Sequence, residues 1–433
     1  MPLFKTVRGM RDFLPDEAKA MKNLENRARR IAKLYGYDEI ITPIVESYEL
    51  LSAKAGDEVR SRMFFFKDLG GRDVALRYEF TASVARLVAT AFRNEPKPLR
   101  LFSVGTLYRY DEPQKGRYRE FWQSNYELMG SSRPEADAEI IMLTDSLLKS
   151  AGLKGHTFKI GHVGVLRSIF HQEKLQEDTQ NAIMQLMDKK QCDAALETVK
   201  NAGASANAIK TIQKLMKLKS NDAFDVVDKM RSCVENYKEA ADEVDNLFKI
   251  LKLISESRCE IGIHVDASFA RGLEYYTGMI FEVNVPELDI ALGGGGRYDK
   301  LVELFGGEPT PALGVAHGLD RILLALQMQN ASPKEQEASA VVVIAVQESL
   351  IAEAMKIAQK LRDAEIRVEV DVMGRKVAKA LENADRKKID YAVIVGEKEL
   401  AENSAVVKDL QRREQKAIKI DEIANLIKSG NLS

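Results

Sequence analysis

The chain of 433 residues lacks several features that would assign it to a class at once. It has no run of about eighteen apolar residues, which excludes an ordinary membrane-spanning helix. Its three cysteines are far apart and form no Cys-x-x-Cys pair, so neither a disulfide framework nor a structural zinc site is expected. Residues 1–5 lack the apolar core of a signal peptide, and a reducing, cytoplasmic location is therefore expected.

Two further absences concern nucleic acids and nucleotides. Lys and Arg total 64 against 65 Asp and Glu, so a polyanionic partner would have to meet a local basic patch. The chain has neither G-x-x-x-x-G-K-[ST] nor a GxGxxG that follows a strand and opens a helix, so any nucleotide is bound without the common phosphate loops. The five histidines show no ligand spacing, and no residue is assigned as a metal ligand.

The length suggests about three folding units. Residues 329–339 are polar, contain a proline and separate two apolar patterns, which predicts a linker. Residues 166–256 contain no proline and are rich in Lys, Glu, Ala, Met and Leu, a composition typical of several helices. Because their flanks are strand-rich, we predict a helical domain inserted into a β-containing domain that spans residues 1–328.

The ends of the chain have different patterns. Residues 340–433 alternate β-branched runs with helical spacing, which predicts a small parallel-type α/β domain. Its predicted helix 375–388 is basic, and it is either a solvated face or a patch that contacts phosphates. Near the N-terminus, Pro15 and Asp16 begin a predicted helix that Gly36 ends. A strand-like run at 39–45 follows, with Pro43 inside it.

Residues 107–128 form the densest polar stretch of the chain. They continue from a predicted strand at 100–104, turn at 113–116 and return, which indicates a hairpin with a long loop. On the return strand, one face carries an aromatic ring, two amides and a carboxylate at a period of two: Phe121, Gln123, Asn125 and Glu127. Such a face favours ligand binding over the alternative, an exposed charged hairpin.

Three other segments could carry chemistry. Residues 269–283 bring Arg271 into a turn and two tyrosines into a strand, although tyrosine pairs are also common at the rim of a core. The four glycines at 293–296 either let the backbone approach a ligand or form an irregular hairpin turn. Residues 311–323 predict a strand that passes through glycine into a helix carrying Arg321, and the alternative is an ordinary strand–helix junction.

Taken together, these segments resemble the histidyl-tRNA synthetases, which are class II aminoacyl-tRNA synthetases. Residues 35–51, the hairpin and residues 314–323 resemble motifs 1, 2 and 3 of that class. The stretch from Arg271 to Tyr276 resembles a segment peculiar to the histidine enzymes, and residues 77–82 resemble their Arg-x-Glu-x-Thr loop. The resemblance implies an α+β catalytic domain with an antiparallel class II sheet and a helical insertion, followed by a C-terminal α/β anticodon-binding domain.

The resemblance also implies an activity. ATP and histidine would form histidyl-adenylate and pyrophosphate with the help of Mg²⁺, and the histidyl group would pass to the 3′-terminal ribose of histidine tRNA. The enzyme would be a homodimer with motif 1 at the interface. Arg109 and Arg271 would be the catalytic cations at the α-phosphate, Arg117 would reach the γ-phosphate, and Phe121 and Arg321 would hold the adenine between them.

The remaining expected site residues follow from the same resemblance. The histidine pocket would use residues that pair with the imidazole or the amino group or line the wall: Glu79, Thr81, Gln123, Glu127, Arg271, Tyr275, Tyr276 and Tyr298. For tRNA, the candidates are Gln114 and Lys115 at the acceptor end and Arg375, Lys376 and Lys379 in the C-terminal domain. The chain departs from many relatives at Asn125-Tyr126, where they have Gly-Cys, and at Asp320, where glutamate is frequent; the first change implies a differently packed pocket wall.

Three alternative functions remain at this level. A regulatory subunit of ATP phosphoribosyltransferase would resemble the catalytic core but would lack the C-terminal domain and usually the arginines. A tRNA-binding sensor would carry the domain in a larger chain with a kinase-type segment, which is not expected here. A synthetase for another amino acid would leave the stretch from Arg271 to Tyr276 unexplained.

Overall fold

The computed structural model describes residues 4–53, 55–257, 259–271, 275–331 and 340–430. It divides into two compact units, residues 1–333 and 334–433. The predicted linker 329–339 lies outside the described residues from position 332 onward, as do positions 272–274 of the Arg271–Tyr276 segment. Within the described ranges, no helix is long and apolar enough to cross a membrane.

The helices of the first unit are, in chain order, α1 (Pro15–Leu34), α2 (Tyr48–Ser52), α3 (Asp57–Arg60), α4 (Thr81–Ala89), α5 (Pro134–Ala151), α6 (Val163–Gln172), α7 (Glu177–Asp188), α8 (Cys192–Asn201), α9 (Ala206–Leu215), α10 (Ala223–Cys233), α11 (Lys238–Glu256), α12 (Leu301–Leu304) and α13 (Leu319–Met328). Its strands are β1 (Asp38–Glu39), β2 (Val45–Ser47), β3 (Phe65–Lys67), β4 (Asp73–Leu76), β5 (Leu99–Tyr108), β6 (Glu120–Met129), β7 (Thr157–His162), β8 (Lys219–Ser220), β9 (Gly262–Asp266), β10 (Met279–Asn284), β11 (Gly293–Arg297) and β12 (Ala312–Gly318).

The N-terminal helix was predicted correctly, and the strand after it was not. Helix α1 has Pro15 at its first position, and Gly36 follows it with a φ of 74°, which a residue with a Cβ rarely adopts. The predicted strand 39–45 is wrong, since residues 40–44 are irregular between β1 and β2. One reason is that the buried Arg77 guanidinium takes the Thr42 carbonyl, at 2.7 Å, which is then not available to a ladder.

A nine-stranded sheet forms the centre of the first unit, in the order β1-β5-β6-β12-β11-β10-β7-β9-β8. Neighbouring strands are antiparallel except for the pairs β1–β5 and β7–β9. The prediction of an antiparallel sheet is therefore confirmed for the middle strands, whereas the sheet is mixed towards its edges. The predicted hairpin is β5–β6, with Ser103 opposite Asn125 and Leu101 opposite Glu127. A separate three-stranded sheet has the order β2-β4-β3.

The glycine-rich segment is a strand. Residues 293–296 lie in β11, which pairs on one side with β10 and on the other with β12, so the alternative of an irregular turn is wrong. A glycine strand in the middle of a sheet leaves space above it because no side chain projects there. That space belongs to the cavity of the candidate active site.

Residues 163–256 contain helices α6 to α11 and the two-residue strand β8, in agreement with the several helices predicted there. Strand β8 joins the edge of the large sheet beside β9. Apolar side chains on the helices pack into the same core as the sheet, among them Ile212, Val227 and Leu247. The extent of a separate inserted domain, 166–256, stays a prediction.

The second unit has its own core and a five-stranded sheet in the order β14-β13-β15-β16-β17. Its elements are β13 (Ala340–Ala345), α14 (Ile351–Asp363), β14 (Arg367–Val370), α15 (Val377–Arg386), β15 (Tyr391–Val395), α16 (Glu397–Ala401), β16 (Ser404–Asp409), β17 (Glu414–Lys419) and α17 (Ile423–Ser429). The predicted parallel part is β14-β13-β15, whereas β16 and β17 form an antiparallel hairpin that the sequence pattern did not predict. Helix α15 begins at Val377 rather than at Arg375.

Candidate active site

A cavity of about 660 Å³ lies over the middle strands of the large sheet. Strands β6, β10, β11 and β12 form its floor, and the loop of the hairpin, the start of α4 and the start of α13 form its walls. Most of the side chains expected to bind histidine or ATP line it: Glu79, Thr81, Arg109, Arg117, Phe121, Gln123, Arg271, Tyr275, Tyr276, Tyr298 and Arg321. Residues from distant parts of the sequence therefore meet in one cavity.

Glu127 lies at one end of this cavity, directly behind the side chains that form its wall. Its carboxylate is buried and accepts bonds from Thr81 Oγ1 (2.6 Å), from Asn125 Nδ2 (2.7 Å) and from the Tyr298 hydroxyl. Burial raises the pKa of Glu127 to about 7, while these three donors act in the opposite direction. Its donors line the cavity, so a ligand contacts Glu127 directly only if one of them swings aside.

A second buried carboxylate lies near the first. Glu79 accepts a 3.2 Å hydrogen bond from the hydroxyl of Tyr275. Burial raises the pKa of Glu79, and the positive charge of Arg109 opposes that rise. Tyr275 and Tyr276 are buried against each other with ring centroids 5.0 Å apart. This end of the cavity therefore offers carboxylates, hydroxyls and amides in a poorly hydrated space, and the tyrosine pair forms part of its wall.

Glycines make room for the charged side chains. Gly314 lies opposite Glu127 in the pairing of β12 with β6, and a Cβ at Gly314 would overlap the Glu127 carboxylate. A Cβ at Gly294, on β11, would overlap the Arg271 guanidinium in the same way. The glycines of β11 and β12 thus let side chains of the protein lie close to the sheet, whereas the approach of a ligand to the backbone of residues 293–296 stays a prediction.

Arginines concentrate at the other end of the cavity. Burial, and next the charges of Arg109, Arg117 and Arg271, lower the pKa of Arg321 to about 10. Arg321 donates to the carbonyls of Ala291 (2.7 Å) and Gly116 (3.3 Å), which fixes its side chain. Four like charges around one space repel one another, so this end is suited to a polyanion.

The aromatic ring of Phe121 lies beside one of these cations, Arg109. The Arg109 guanidinium carbon is 5.2 Å from the centre of that ring, and Arg109 Nε donates to the Tyr78 carbonyl at 3.1 Å. Arg271 donates to the Phe281 carbonyl at 2.9 Å and lies 3.5 Å from Glu282. Arg117 lies 3.8 Å from Asp111. A flat aromatic ring together with planar guanidinium groups can hold a nucleobase and its phosphates.

The end of helix α7 contributes to the cavity, which the sequence did not indicate. Gln185, Asp188 and Lys189 line it, and Lys189 lies 3.6 Å from Glu58 on α3. Burial raises the pKa of Asp188, while the nearby Arg271 lowers it. A single sequence gives no signal for these residues, because their position depends on how the helices pack on the sheet.

The possible metal ligands of the cavity are carboxylates. Among the described residues, no three His, Cys, Asp or Glu side chains come together in a way that could hold a metal ion. Asp188 and Glu282 are the cavity carboxylates that lie near Arg271. Mg²⁺ is usually held by one or two carboxylates together with substrate phosphates, and these two residues fit that mode.

The residues expected to contact tRNA lie outside the cavity. Gln114 and Lys115 are exposed at the tip of the hairpin loop, where the Gln114 and Arg117 backbones form an isolated bridge. In the second unit, Arg375 is paired with Asp371 at 2.6 Å and Lys379 with Glu382 at 2.8 Å. Lys376 makes no ion pair with any residue that the structure describes. The basic patch at the start of α15 is therefore partly neutralised.

Comparisons with known proteins identify the family of the chain. The family model described as histidyl-tRNA synthetase matches residues 9–322, and the model described as anticodon binding domain matches residues 340–430. A histidine--tRNA ligase from Methanococcus maripaludis strain C6 is 40% identical over 430 residues, which cover 98% of this chain and 100% of that protein. One from Pyrococcus furiosus is 36% identical and covers 99% of each chain.

Solved structures of similar fold include two that differ in how they are described. The histidyl-tRNA synthetase from Nostoc sp. PCC 7120 has a TM-score of 0.80 at 23% identity over the whole of both chains. A protein from Bacillus halodurans, described as an ATP phosphoribosyltransferase regulatory subunit/histidyl-tRNA synthetase, has a TM-score of 0.74 at 27% identity and covers 88% of this chain and 96% of that one. With a family model over residues 9–322 and relatives of about 40% identity over nearly their full lengths, the chain belongs to the histidyl-tRNA synthetase family.

Proposed function

We propose that the cavity activates histidine with ATP and that the enzyme then transfers the histidyl group to the 3′-terminal ribose of histidine tRNA in the cytoplasm. The observation that carries this proposal is the division of one cavity into two ends. One end has buried carboxylates, hydroxyls and amides, and the other has four neighbouring arginines, one of which, Arg109, lies over the Phe121 ring. An amino acid and a nucleoside triphosphate would meet between them.

At the polar end, histidine would be selected by paired donors and acceptors. A neutral imidazole has one N–H and one acceptor nitrogen. We assign its recognition to Glu127 and Tyr276, with Tyr298 and Tyr275 in the wall, and that of the α-amino group to Glu79, Thr81 and Gln123. A pocket whose buried polar groups need both partners strongly disfavours amino acids that leave them unpaired.

At the cationic end, the arginines would stabilise the transition state of adenylate formation. An oxygen of the histidine carboxylate attacks the α-phosphorus, and the bond to pyrophosphate breaks as negative charge grows on the phosphate oxygens. Arg109 and Arg271 would hold those oxygens, and Arg117 would hold the γ-phosphate. The adenine would lie between Phe121 and Arg321, where a guanidinium plane stacks better than an ammonium group.

Mg²⁺ would be held at this end by Glu282, Asp188 and the phosphate oxygens. It would supply charge neutralisation for the leaving pyrophosphate. No side chain needs to form a covalent bond to the substrate, so the reaction requires positioning and electrostatic stabilisation alone. For the second step we assign Gln114 and Lys115 to the acceptor end of the tRNA, and Arg375, Lys376 and Lys379 to its anticodon region.

Exchange of labelled pyrophosphate into ATP tests this function. The purified chain should be incubated with ATP, Mg²⁺ and each amino acid in turn. We expect exchange that depends on histidine, and charging of histidine tRNA in a separate assay. A lack of exchange with every amino acid would refute the proposal and would favour the regulatory-subunit alternative, which resembles the catalytic core without aminoacylating tRNA. Exchange that depends on an amino acid other than histidine would also refute it and would favour a synthetase for that amino acid.

A further inference from the structure

The N-terminal segment 8–13 lies against the loop of the hairpin, where its backbone is fixed. The Gly9 carbonyl accepts a 2.9 Å hydrogen bond from the amide of Arg119, and Arg119 Nη1 donates to the Arg8 carbonyl at 3.4 Å. Gly9 has a φ of 83°, and a Cβ there would lie 2.7 Å from the Arg119 side chain. Glycine is therefore required for the segment to lie this close to the loop.

Within the segment, Arg11 lies between three groups from different parts of the chain. Its guanidinium carbon lies 3.6 Å from the centre of the Tyr118 ring and 4.4 Å from that of Phe13. It forms an ion pair with Asp320, whose side chain is only 3% exposed. A guanidinium that lies over an aromatic ring and also pairs with a carboxylate is held more firmly than one held by a single ion pair.

Asp320 connects this arginine to both halves of the proposed adenine site. Its Oδ2 accepts a 2.6 Å hydrogen bond from the backbone amide of Trp122, and it lies at the start of helix α13. Trp122 follows Phe121 on β6, and Arg321 follows Asp320 on α13. One carboxylate thus joins the strand that carries Phe121 to the helix that carries Arg321.

We propose that Arg11 is a positioning residue for ATP. Through its pair with Asp320 and its stacking on Tyr118, it fixes the separation of β6 and α13, and so the gap between Phe121 and Arg321. The inference rests on the proposed function, which assigns the adenine to that gap. Arg11 lines neither end of the cavity, so it acts through Asp320 and does not contact the substrate.

The chain offers a matched control in the same segment. Arg8 also forms an ion pair, with Glu112, but both side chains are more than two-thirds exposed, at 71% and 72%. Pyrophosphate exchange should be measured for the natural chain, Arg11→Ala, Arg11→Lys and Arg8→Ala, with ATP and histidine varied separately. Trp122 is the only tryptophan of the chain, and its ring lies 4.9 Å from that of Phe13, so its fluorescence reports on the packing of the segment.

We expect Arg11→Ala to raise the KM for ATP by between about tenfold and about a hundredfold, since small displacements of positioning groups have effects of that size. The KM for histidine should stay within about twofold. The KM for ATP of Arg11→Lys, which keeps the charge but loses the planar guanidinium, should lie between those of the natural chain and Arg11→Ala. Arg8→Ala should have the KM of the natural chain. Trp122 emission should shift in Arg11→Ala and not in Arg8→Ala.

Equal KM values for ATP in Arg11→Ala and Arg8→Ala would overturn the inference, as would an equal rise for ATP and histidine, which indicates general damage. If Arg11→Ala does not fold, as judged by circular dichroism, Arg11→Lys decides: an unchanged KM for ATP refutes the role of Arg11 and a raised one supports it. Absence of histidine-dependent exchange in the natural chain would instead refute the proposed function itself.

Discussion

Thr81, the first residue of helix α4, donates a 2.6 Å hydrogen bond to Glu127, 46 residues later in the large sheet. Asn125 and Tyr298 donate to the same carboxylate. An ionised carboxylate can accept about four hydrogen bonds, so the three donors leave about one position, which a ligand reaches only if one of them swings aside. A group in this state is poised near neutral pH, because burial raises the pKa of Glu127 and the donors restrain that rise to about 7.

The first prediction concerns the pH dependence of histidine binding. Glu127 has a raised pKa, so it is ionised above about pH 7 and increasingly protonated below it. A protonated carboxyl loses most of its capacity to accept the imidazole N–H, and the ionised fraction falls about tenfold for each pH unit below the pKa. We expect the KM for histidine to rise as the pH falls from 8 to 6, measured by pyrophosphate exchange at saturating ATP.

The Asn125→Ala variant separates the effect of Glu127 from the titration of the substrate histidine, because the substrate titrates identically with the natural chain and with the variant. Removing one donor destabilises the ionised carboxylate, so the rise in KM should begin at a higher pH than in the natural chain. Ser124→Ala is the matched control, because Ser124 is the adjacent buried residue and pairs with His317 on the opposite face of β6. Identical pH profiles for Asn125→Ala and Ser124→Ala would show that Asn125 does not act on Glu127.

The second prediction concerns Arg271. If its guanidinium stabilises charge that develops on the α-phosphate, Arg271→Ala should lower kcat for adenylate formation by about 10²- to 10³-fold, the usual effect of removing one such donor. ATP binding, measured at equilibrium, should change little because Phe121, Arg117 and Arg321 remain. Arg133→Ala is a suitable control, since Arg133 is 75% exposed and paired with Glu135. Exchange at a near-normal rate in Arg271→Ala would remove that residue from the mechanism.

The third prediction tests why β11 is made of glycines. A Cβ at Gly294 would overlap the Arg271 guanidinium and lie 2.8 Å from the Phe281 carbonyl, so Gly294→Ala should displace Arg271 and cost activity together with some stability. At Gly262, on β9, an added Cβ would lie nearest to Thr157 Cγ2, at 3.2 Å, and next to the His156 carbonyl at an ordinary contact distance of 3.7 Å, away from the active site. Gly262→Ala should therefore keep its exchange rate and melting temperature. A Gly294→Ala chain with normal exchange would refute this explanation of the glycines.

The sequence predicted only part of the contacts around Glu127 on which these predictions depend. The period-two pattern of β6 indicated that Gln123, Asn125 and Glu127 share a face, and that part is correct. The pattern could not show that Asn125 is a donor to Glu127, because a shared face does not fix the side-chain rotamers that bring the two groups together. In the folded chain, Thr81 and Tyr298 also donate to Glu127, from two other parts of the sequence.

Arg11 illustrates the same limit. It lies in a polar N-terminal stretch whose residue types suit a solvated loop, and nothing in their spacing connects it to Asp320, more than three hundred residues later. The contact depends on the seating of segment 8–13 on the hairpin, which Gly9 permits. Local patterns predicted the strands and helices that carry the site, whereas the long-range contacts that position the side chains required the folded chain.

The fourth prediction concerns the homodimer implied by the resemblance to class II enzymes. Residues 41–45 and strand β3 expose apolar side chains, among them Ile41 at 90%, together with Ile44, Val45, Phe65 and Phe66. We expect this surface to be covered by a second copy, since monomers rarely expose such patches. Ile41→Asp should shift sedimentation from dimer to monomer with loss of exchange. A natural chain that sediments as an active monomer would refute the dimer.

The fifth prediction concerns the basic start of helix α15, which is either a solvated face or a surface that contacts phosphates. Lys376 makes no ion pair within the described part of the chain, whereas Arg375 and Lys379 have carboxylate partners, so Lys376 is the cation most available to a polyanion. Lys376→Ala should raise the KM for tRNA and reduce the salt dependence of tRNA binding by a slope of about one. Pyrophosphate exchange should be unchanged, because that reaction needs no tRNA.

Lys356→Ala is the matched control for Lys376→Ala, since Lys356 is an exposed lysine of the same unit that is paired with Glu353. If both variants charge tRNA equally well over a range of salt concentrations, the face is merely solvated, and recognition of the tRNA by this unit must depend on other residues.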